Sequence, residues 1–222
     1  MAQLTRNGDF SPDLASKLQH SVSVLEKAFE QYDKKQIFLS FNGGKDCTVL
    51  LHMLSEILKD SVRDLKVIYF RTSEPFDEIE EFVKSCEGFY GITICTLQSD
   101  TSMKVLLTNI CNSDPDISAC IMGSRRTDPY CENLNSFQST DRGWPKLMRV
   151  NAMLDWNCRN VWEYLLKKRV PYCSLYDQGY TSIGSRANTR PNPQLEVNGT
   201  FLPAYELADD ALERAGRLSA KH

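Results

Sequence analysis

The sequence predicts an α/β protein in which a mostly parallel sheet is flanked by helices. The main observation is that short apolar segments and segments of helical periodicity alternate four times, at intervals of roughly 25 residues. A second is the composition, since 41% hydrophobic residues, 25% charged residues and 11 glycines are values of an ordinary globular chain. A third is that no repeat, low-complexity tract or dividing linker interrupts the 222 residues, which predicts a single domain over 1–222.

The first half of the chain supplies the alternating elements. The first predicted helix has an apolar residue at every third or fourth position, at Leu14, Leu18, Val22, Leu25 and Phe29. Ser11 and Pro12 come just before these positions and suit the N-terminus of a helix. Predicted strands follow at 36–41, 65–71, 91–97 and 117–123, and the predicted helices between them lie at about 49–58, 77–89 and 102–111.

The alternation stops after residue 123. Segment 124–150 is polar, aromatic and proline-bearing, and an irregular stretch of this length inside a compact domain is usually functional or disordered. A helix is predicted over about 159–169, a long loop over 170–204, and a final charged helix near 206–220. We therefore expect a core of about 12–170 and a C-terminal extension of about 171–222.

Charge, hydropathy and cysteine content exclude several classes of protein. A net charge of −3 and a pI near 5.7 argue against a nucleic-acid-binding surface, because non-specific phosphate binding needs a basic face. The longest apolar runs are far shorter than the ~20 residues of a membrane span, and the first ten residues contain no apolar signal segment. The eight cysteines include no C-x-x-C pair, which favours buried thiols in a reducing compartment. We expect a monomeric, cytoplasmic protein with no nucleic-acid or membrane partner, and the sequence leaves a mitochondrial pool open.

A polar glycine turn, Ser40-Phe41-Asn42-Gly43-Gly44-Lys45-Asp46, lies between the first predicted strand and a helix. Glycines let a ligand approach the backbone, and the start of the helix offers free N–H groups to an anion. Ligands of open α/β sheets bind beyond the carboxyl ends of the strands, so we predict a phosphate site here, with a ligand-free turn as the alternative. The spacing matches neither a Walker A loop nor G-x-G-x-x-G. Asp46 would repel a phosphate unless Mg²⁺ lies between them, which makes Asp46 the predicted metal ligand.

The string SFNGGKD resembles the pyrophosphate-binding loop of the ATP α-hydrolase group, which includes adenylylsulfate reductases and several tRNA-modifying enzymes. Three further strings narrow the resemblance: GSRRTDPY (123–130), TDRGWPKLMRVN (140–151) and PYCSLYDQGYTSIGS (171–185). Together with the closing LERAGR (212–217), they resemble the eukaryotic FAD synthase family, the FMN adenylyltransferases, over essentially the whole chain. One departure is Ala152, where the family usually has proline. The resemblance implies a Rossmann-like, adenine nucleotide α-hydrolase-like fold and transfer of AMP from ATP to FMN, giving FAD and pyrophosphate.

The resemblance also implies roles for individual residues. At the reaction centre it places Asn42, Asp46, Asp128, Arg214 and Arg217. On ATP it places Ser40, Phe41, Gly43, Gly44, Lys45, Ile68, Tyr69 and Gly123. On the flavin, bound by loop 124–150, it places Arg125, Asp141, Arg142, Gly143, Trp144 and Arg149. Mg²⁺ would be the metal, with ATP and FMN as substrates and FAD as product.

The residue types suit this chemistry. A phosphate monoester is mostly dianionic at pH 7, so the attacking group needs no strong base, and the chain has only three histidines.

Gly216, between Arg214 and Arg217, argues against a rigid helix there and for a segment that folds over the nucleotide. Two other functions stay open: an adenylylsulfate-type reductase, which would need a cysteine near the C-terminus, where the last one is Cys173, and a non-catalytic flavin or nucleotide carrier.

Overall fold

A six-stranded sheet organises the described part of the chain, which is residues 10–98 and 101–218 of a computed structural model. Its strands are β1 (Ile37–Phe41), β2 (Lys66–Arg71), β3 (Ile94–Gln98), β4 (Ala119–Met122), β5 (Phe137–Ser139) and β6 (Met148–Asn151). Their order across the sheet is β3-β2-β1-β4-β6-β5, and every neighbouring pair is parallel except β5 with β6. The predicted fold class is confirmed.

Within residues 10–98 and 101–218, five α-helices accompany the sheet: α1 (Pro12–Gln31), α2 (Lys45–Leu58), α3 (Asp77–Tyr90), α4 (Met103–Ser113) and α5 (Cys158–Lys168). The Ser11 side chain accepts a hydrogen bond from the Leu14 N–H and caps α1, as predicted. Gly91 ends α3 in the left-handed conformation, which delays β3 to Ile94 rather than the predicted residue 91. None of the helices in the two described ranges is long and apolar enough to cross a membrane.

The two faces of the sheet are covered unequally. On one face, residues such as Leu39 and Ile121 pack in a large cluster with α1, α2, α3 and α5. On the other face, residues such as Phe38 pack with α4, which buries only Leu106 and Ile110 of its own length. Since a single loosely packed helix cannot cover a whole sheet face, apolar surface remains accessible there.

Segment 124–150 is not irregular throughout, which corrects the prediction for it. It contains β5 and β6, which extend the sheet beyond β4. Both strands are short and partly exposed, with Met148 and Arg149 only half-buried, so they lack the apolar runs that mark the first four strands. Loop 170–204 likewise holds short 3₁₀ turns and a small hairpin, β7 (Glu196–Val197) with β8 (Thr200–Phe201).

The predicted final helix at 206–220 is wrong over its described part, which has 3₁₀ turns at Ala204–Glu206 and Asp210–Leu212 but no α-helix; residues 219 and 220 lie outside the described ranges. The reason is that backbone carbonyls here accept hydrogen bonds from distant side chains. Asn192 Nδ2 donates to the Leu212 carbonyl at 2.9 Å and Thr181 Oγ1 to the Glu213 carbonyl at 2.6 Å.

Gly216 serves close packing. A Cβ on it would lie 2.4 Å from the Arg190 carbonyl oxygen, and the Arg190 N–H donates to the Gly216 carbonyl at 3.0 Å. The prediction that the two arginines do not share a helix is therefore correct, and a tight backbone contact explains the glycine.

Candidate active site

Two loops meet beyond the carboxyl end of the sheet, where β1 and β4 lie side by side but the chain departs from them in opposite directions. The first is the predicted glycine turn after β1, and the second runs from Gly123 to Asp128 after β4. A Cβ on Gly123 would lie 3.2 Å from the Cys47 backbone nitrogen, so glycine lets the two loops approach. Such a switch point is the usual ligand site of an open α/β sheet.

The glycine turn is held by its own side chains. Gly43 has a φ of 70° and packs against α3, where a Cβ would lie 3.1 Å from Ile79 Cγ2. Asn42 Oδ1 accepts hydrogen bonds from the Gly44 N–H at 2.9 Å and from the Cys47 thiol at 2.8 Å. Because Asn42 is exposed and its oxygen is committed to the turn, its NH₂ group is left to face a ligand.

The start of α2 offers further donors to an anion. The Lys45 N–H donates to the Tyr176 hydroxyl at 2.8 Å. The next two N–H groups, of Asp46 and Cys47, have no acceptor among the described residues. Two free N–H groups at the positive end of a 14-residue helix suit a phosphate.

These loops enclose a cavity of about 260 Å³, here called the charged pocket. Its lining includes four cationic side chains and three carboxylates: Lys45, Arg125, Arg214, Arg217, Asp46, Asp128 and Glu213. Residues from the glycine turn, the loop after β4 and the C-terminal extension therefore line one cavity.

A buried ion-pair cluster forms one wall of the charged pocket. Lys45 and Arg125 are each 3% exposed and Glu213 is 5% exposed. The Lys45 ammonium binds the carboxylates of Asp46, at 3.1 Å, and Glu213. Arg125 Nη2 binds both Glu213 oxygens, at 2.7 and 2.8 Å, and Arg125 Nε lies 2.9 Å from Asp46 Oδ1. The four formal charges balance within the protein.

The ionisation of this cluster follows from its pairing. Burial alone would raise the pKa of the Glu213 carboxyl, but the charges of Lys45 and Arg125 outweigh it and lower that pKa. Burial alone would lower the pKa of Lys45, and the charges of Asp46 and Glu213 instead raise it well above its usual value. Both groups are therefore charged at neutral pH.

Arg214 and Arg217 lie closer to solvent. Arg214 is 44% exposed, with Nη1 3.8 Å from Asp128 Oδ1. Arg217 makes no ion pair with a carboxylate in the described ranges, and its guanidinium packs on Gly184, where a Cβ would lie 2.5 Å from Nη2. Burial and the nearby charge of Arg214 lower the pKa of Arg217. These two side chains can thus offer charge to an incoming anion.

A second cavity of about 190 Å³, here called the apolar pocket, lies on the sheet face covered by α4. Its walls are mainly Phe70, Met103, Leu107, Cys120, Trp144 and Leu147. The tip of the β5–β6 hairpin adds Asp141, whose Oδ1 lies 3.6 Å from Arg149 Nη2. The two pockets share Ser40 and Met122, at the ends of β1 and β4.

The structure brings most of the predicted site residues together. Those that line the charged pocket are Ser40, Asn42, Gly44, Lys45, Asp46, Gly123, Asp128, Arg214 and Arg217. Asp141, Trp144 and Arg149 line the apolar pocket, while Arg142 and Gly143 belong to the same hairpin tip without lining it. Arg125, predicted on the flavin, lies instead in the ion-pair cluster of the charged pocket.

Three predicted ATP-binding residues point their side chains elsewhere. Phe41, Ile68 and Tyr69 are buried in the sheet, and the Tyr69 hydroxyl donates to Glu80 Oε1 at 2.6 Å. A ligand at the sheet edge could therefore reach only their backbone atoms.

Sequence reasoning missed Glu213 and Tyr176. Glu213 stands directly before Arg214, yet an acidic residue in a charged tail is typical of solvent-exposed surface. Tyr176 lies in one of the quoted strings, and nothing local connects its hydroxyl to the N-terminus of α2. The cysteine prediction agrees better: all eight are free, and five of them are buried.

The donor set for a metal is small. No group of three or more His, Cys, Asp or Glu side chains in the described ranges could hold a metal ion by itself. Asp46 Oδ1 is buried and accepts no hydrogen bond. A single carboxylate that leaves the remaining positions to water and phosphate fits Mg²⁺, which is commonly bound in that way.

Comparisons with known proteins agree with this geometry. The family model "Phosphoadenosine phosphosulfate reductase domain" matches residues 36–110 and 98–191. The match covers more than half of the chain and assigns it to the class of proteins that contain this domain.

More specific relatives are FAD synthases. A probable FAD synthase of Schizosaccharomyces pombe is 38% identical over 92% of this chain and 80% of its own length. A probable FAD synthase of Caenorhabditis briggsae is 39% identical over 92% of this chain, but the match spans only 40% of that protein. The crystal structure of Candida glabrata FMN adenylyltransferase superimposes with a TM-score of 0.88 at 26% identity, covering 99% of this chain and 94% of that one. The chain belongs to the FAD synthase family.

Proposed function

We propose that this chain transfers the AMP group of ATP to the phosphate of FMN, forming FAD and pyrophosphate. The observation that carries the proposal is the junction of the two pockets at Ser40 and Met122. With the triphosphate of ATP in the charged pocket and the flavin ring in the apolar pocket, the α-phosphate of ATP and the phosphate of FMN would meet at that junction. The family supports the same pairing, since a related Candida glabrata structure is a complex with FAD and inorganic pyrophosphate.

The reaction asks for neutralisation of charge and for positioning. The phosphate of FMN, mostly dianionic at pH 7, attacks the α-phosphorus of ATP, the bond to the β-phosphate breaks, and pyrophosphate leaves. Neither pocket is lined by a histidine from the described part of the chain, in keeping with a reaction that needs no strong general base. In-line placement of the two phosphates then supplies much of the rate.

Specific groups can meet the charge that develops. The free N–H groups of Asp46 and Cys47 and the Asn42 NH₂ face the phosphates of ATP. Arg214 and Arg217 are the cations of the pocket that solvent reaches, and they act on the α-phosphate in the transition state, as arginine fingers do. Asp128, 3.8 Å from Arg214, orients that guanidinium.

Asp46, with oxygens of the substrate phosphates, would hold Mg²⁺. When bound there, the ion neutralises charge on the leaving pyrophosphate. Asp46 Oδ1 supports this assignment, because it accepts no hydrogen bond although it lies in the ion pair with Arg125.

The flavin ring belongs in the apolar pocket by its chemistry. Trp144 supplies a flat apolar wall and Asp141 a hydrogen-bond acceptor at the rim. Arg149, already paired with Asp141, orients it. Arg142, at the exposed hairpin tip, stays assigned to the flavin. Arg125 is assigned to the charged pocket rather than to the ring.

Two alternatives are weaker. A reductase of the adenylylsulfate type needs a mobile thiol, whereas Cys173 is buried and residues 174–222 contain no cysteine. A non-catalytic carrier would have no use for two arginines that solvent reaches in the charged pocket. Because both pockets are built by one chain, we propose that the enzyme is a monomer. Its free cysteines suit a reducing compartment such as the cytoplasm, where we propose that it acts.

One experiment tests the proposal. The protein is incubated with FMN, ATP and Mg²⁺, and FAD and pyrophosphate are measured together, with GTP and CTP replacing ATP in parallel samples. Equimolar FAD and pyrophosphate from ATP is the expected result. Reduction of adenylylsulfate in the presence of a thiol, without FAD formation, would instead support the reductase.

A further inference from the structure

The Glu213 carboxylate joins two parts of the site that are far apart in sequence. It is buried and lies between Lys45 of the glycine turn and Arg125 of the loop after β4. Glu213 itself belongs to the C-terminal extension and directly precedes Arg214. One carboxylate thus connects the extension to both loops of the charged pocket.

The backbone at Glu213 is fixed by separate contacts. Thr181 Oγ1 donates to its carbonyl at 2.6 Å, and Asn192 Nδ2 donates to the Leu212 carbonyl at 2.9 Å. These bonds hold Leu212 and Glu213 against residues 181 and 192 of the same extension, and neither bond involves the glycine turn. The Glu213 side chain is therefore the direct ionic tie between the extension and the N-terminus of α2.

Lys45 and Arg125 have little charge to spare for a ligand. Each is buried and paired with both Asp46 and Glu213, so their two positive charges meet two negative ones. Arg214 and Arg217 are the cations of the pocket that solvent reaches. The Glu213 carboxylate, which neutralises Lys45 and Arg125, therefore belongs to the segment that carries the two solvent-accessible arginines.

We propose that Glu213 is a positioning residue, which uses Lys45 and Arg125 as its anchor to hold Arg214 and Arg217 over the α-phosphate. Lys45 and Arg125 then act through Glu213, and the phosphates of ATP are met by Arg214, Arg217 and the free N–H groups of α2. The proposal rests on the proposed adenylyl transfer for the identity of the reacting group.

The central test is Glu213→Gln, which keeps the size and one acceptor of the side chain but removes its charge. We expect kcat to fall by about 10²-fold, as for a misplacement of catalytic groups by roughly 1 Å. The KM for ATP should not rise, because unneutralised Lys45 and Arg125 add positive charge to the pocket in the ground state. Glu206→Gln, an exposed tail residue, is the matched control and should leave both constants unchanged.

Inorganic pyrophosphate provides a readout that does not require catalysis. Measured by calorimetry, it should bind Glu213→Gln more tightly than the unchanged protein, by several-fold. A purely structural role would loosen the pocket and weaken this binding. Three results in Glu213→Gln would each overturn the proposal. They are an unchanged kcat, a fall in kcat/KM that comes only from a higher KM, and weaker pyrophosphate binding.

A double variant tests whether Lys45 and Glu213 act together. In Lys45→Met with Glu213→Gln, the loss in kcat should be no larger than that of the more damaged single variant, since both remove the same anchor. Losses that multiply would show independent roles and overturn the proposal. If Glu213→Gln does not fold, Glu213→Asp replaces it, because it keeps the charge on a side chain one methylene shorter. The shorter side chain should still lower kcat, and a normal kcat in that variant would overturn the proposal.

The two proposals can fail separately. If the unchanged protein makes no FAD, adenylyl transfer to FMN is wrong, while the pyrophosphate titrations still report whether Glu213 neutralises the buried cations. If FAD forms normally and Glu213→Gln behaves like Glu206→Gln, the positioning role is wrong and the reaction stands.

Discussion

The two pockets at the edge of the sheet are built in opposite ways. In the charged pocket, Lys45, Arg125, Asp46 and Glu213 are paired with one another before any ligand arrives. In the apolar pocket, Trp144 remains 38% exposed and Met103 41% exposed. One pocket is a fixed electrostatic frame, and the other is a partly open apolar cleft.

The difference originates in how the sheet is covered. The charged pocket lies over the strand ends, where the glycine turn, the loop after β4 and the C-terminal extension all converge. The apolar pocket lies on the face covered by α4, which buries two of its residues. Groups that stabilise a transition state must be held in place beforehand, whereas a ring that is only bound can be met by adaptable walls.

This comparison predicts that changes in the charged pocket lower kcat and that changes in the apolar pocket raise the KM for FMN. Each prediction below can break or sharpen that division.

The largest effect is expected for Arg214→Ala and Arg217→Ala. Each should lower kcat by about 10³-fold with little change in either KM, because an arginine that meets charge in the transition state is worth that much. Lysine at either position should restore only part of the activity, since the two-pronged contact is lost. Steady-state kinetics with both substrates varied measure this, and Arg63→Ala, an exposed arginine on the surface, is the control. If kcat/KM fell only because the KM for ATP rose, these arginines would contribute to binding of the ground state and not to the transition state.

A smaller loss is expected for Asp46→Asn. We predict that kcat falls by about 10²-fold and that the Mg²⁺ concentration for half-maximal activity rises, because one carboxylate ligand is lost. The Mg²⁺ titration matters since Asp46 also pairs with Lys45 and Arg125. An unchanged Mg²⁺ dependence with reduced kcat would assign Asp46 to the ion-pair cluster alone. Asp60→Asn, on an exposed turn, is the control.

The sequence predicts the strands and the glycine turn around the charged pocket better than it predicts the ion pairs inside it. Strand and helix periodicity predicts β1 to β4 and their order along the chain, and the glycine turn is recognisable because its parts are adjacent. The ion pair of Lys45 with Glu213 spans 168 positions, and nothing near either residue indicates the other. The same holds for the pair of Arg125 with Glu213, which are 88 positions apart. Arg125 was predicted on the flavin as part of loop 124–150, and its side chain lines the charged pocket.

The extension shows a second limit of local patterns. Its charged residues suggest a helix, but Asn192 and Thr181 take the carbonyls that such a helix would use. Strands β5 and β6 were missed because strands of three and four residues carry too few buried residues to show a period. The failure in the extension involves hydrogen-bond partners that are distant in the chain, and the failure at β5 and β6 comes from their shortness.

In the apolar pocket, Trp144→Ala should act on FMN alone. We expect the KM for FMN to rise by about 10-fold, the upper part of what one aromatic contact contributes, with kcat and the KM for ATP nearly unchanged. Trp144→Phe should keep most of the affinity, and Phe89→Ala, which removes an exposed aromatic on α3, controls for loss of surface area. Titration of flavin fluorescence gives the dissociation constants directly. A fall in kcat comparable to that of Asp46→Asn would contradict the division between the pockets.

The smallest effect on kcat is expected from alkylation of cysteines, although Cys47 lines the charged pocket and Cys120 lines the apolar pocket. Burial raises the pKa of the Cys47 thiol to about 12 and also raises the pKa of Cys120, so at pH 8 on the order of one Cys47 thiol in 10⁴ is ionised. The Cys47 thiol also donates to Asn42 Oδ1, which keeps it protonated and oriented. Iodoacetamide should therefore modify the exposed Cys95 first and leave kcat unchanged. Mass spectrometry of the modified peptides against residual activity checks this, with Cys95→Ser removing the fast-reacting site. Rapid modification of Cys47 or Cys120 would mean that the pocket it lines opens far more than the packing of its walls implies.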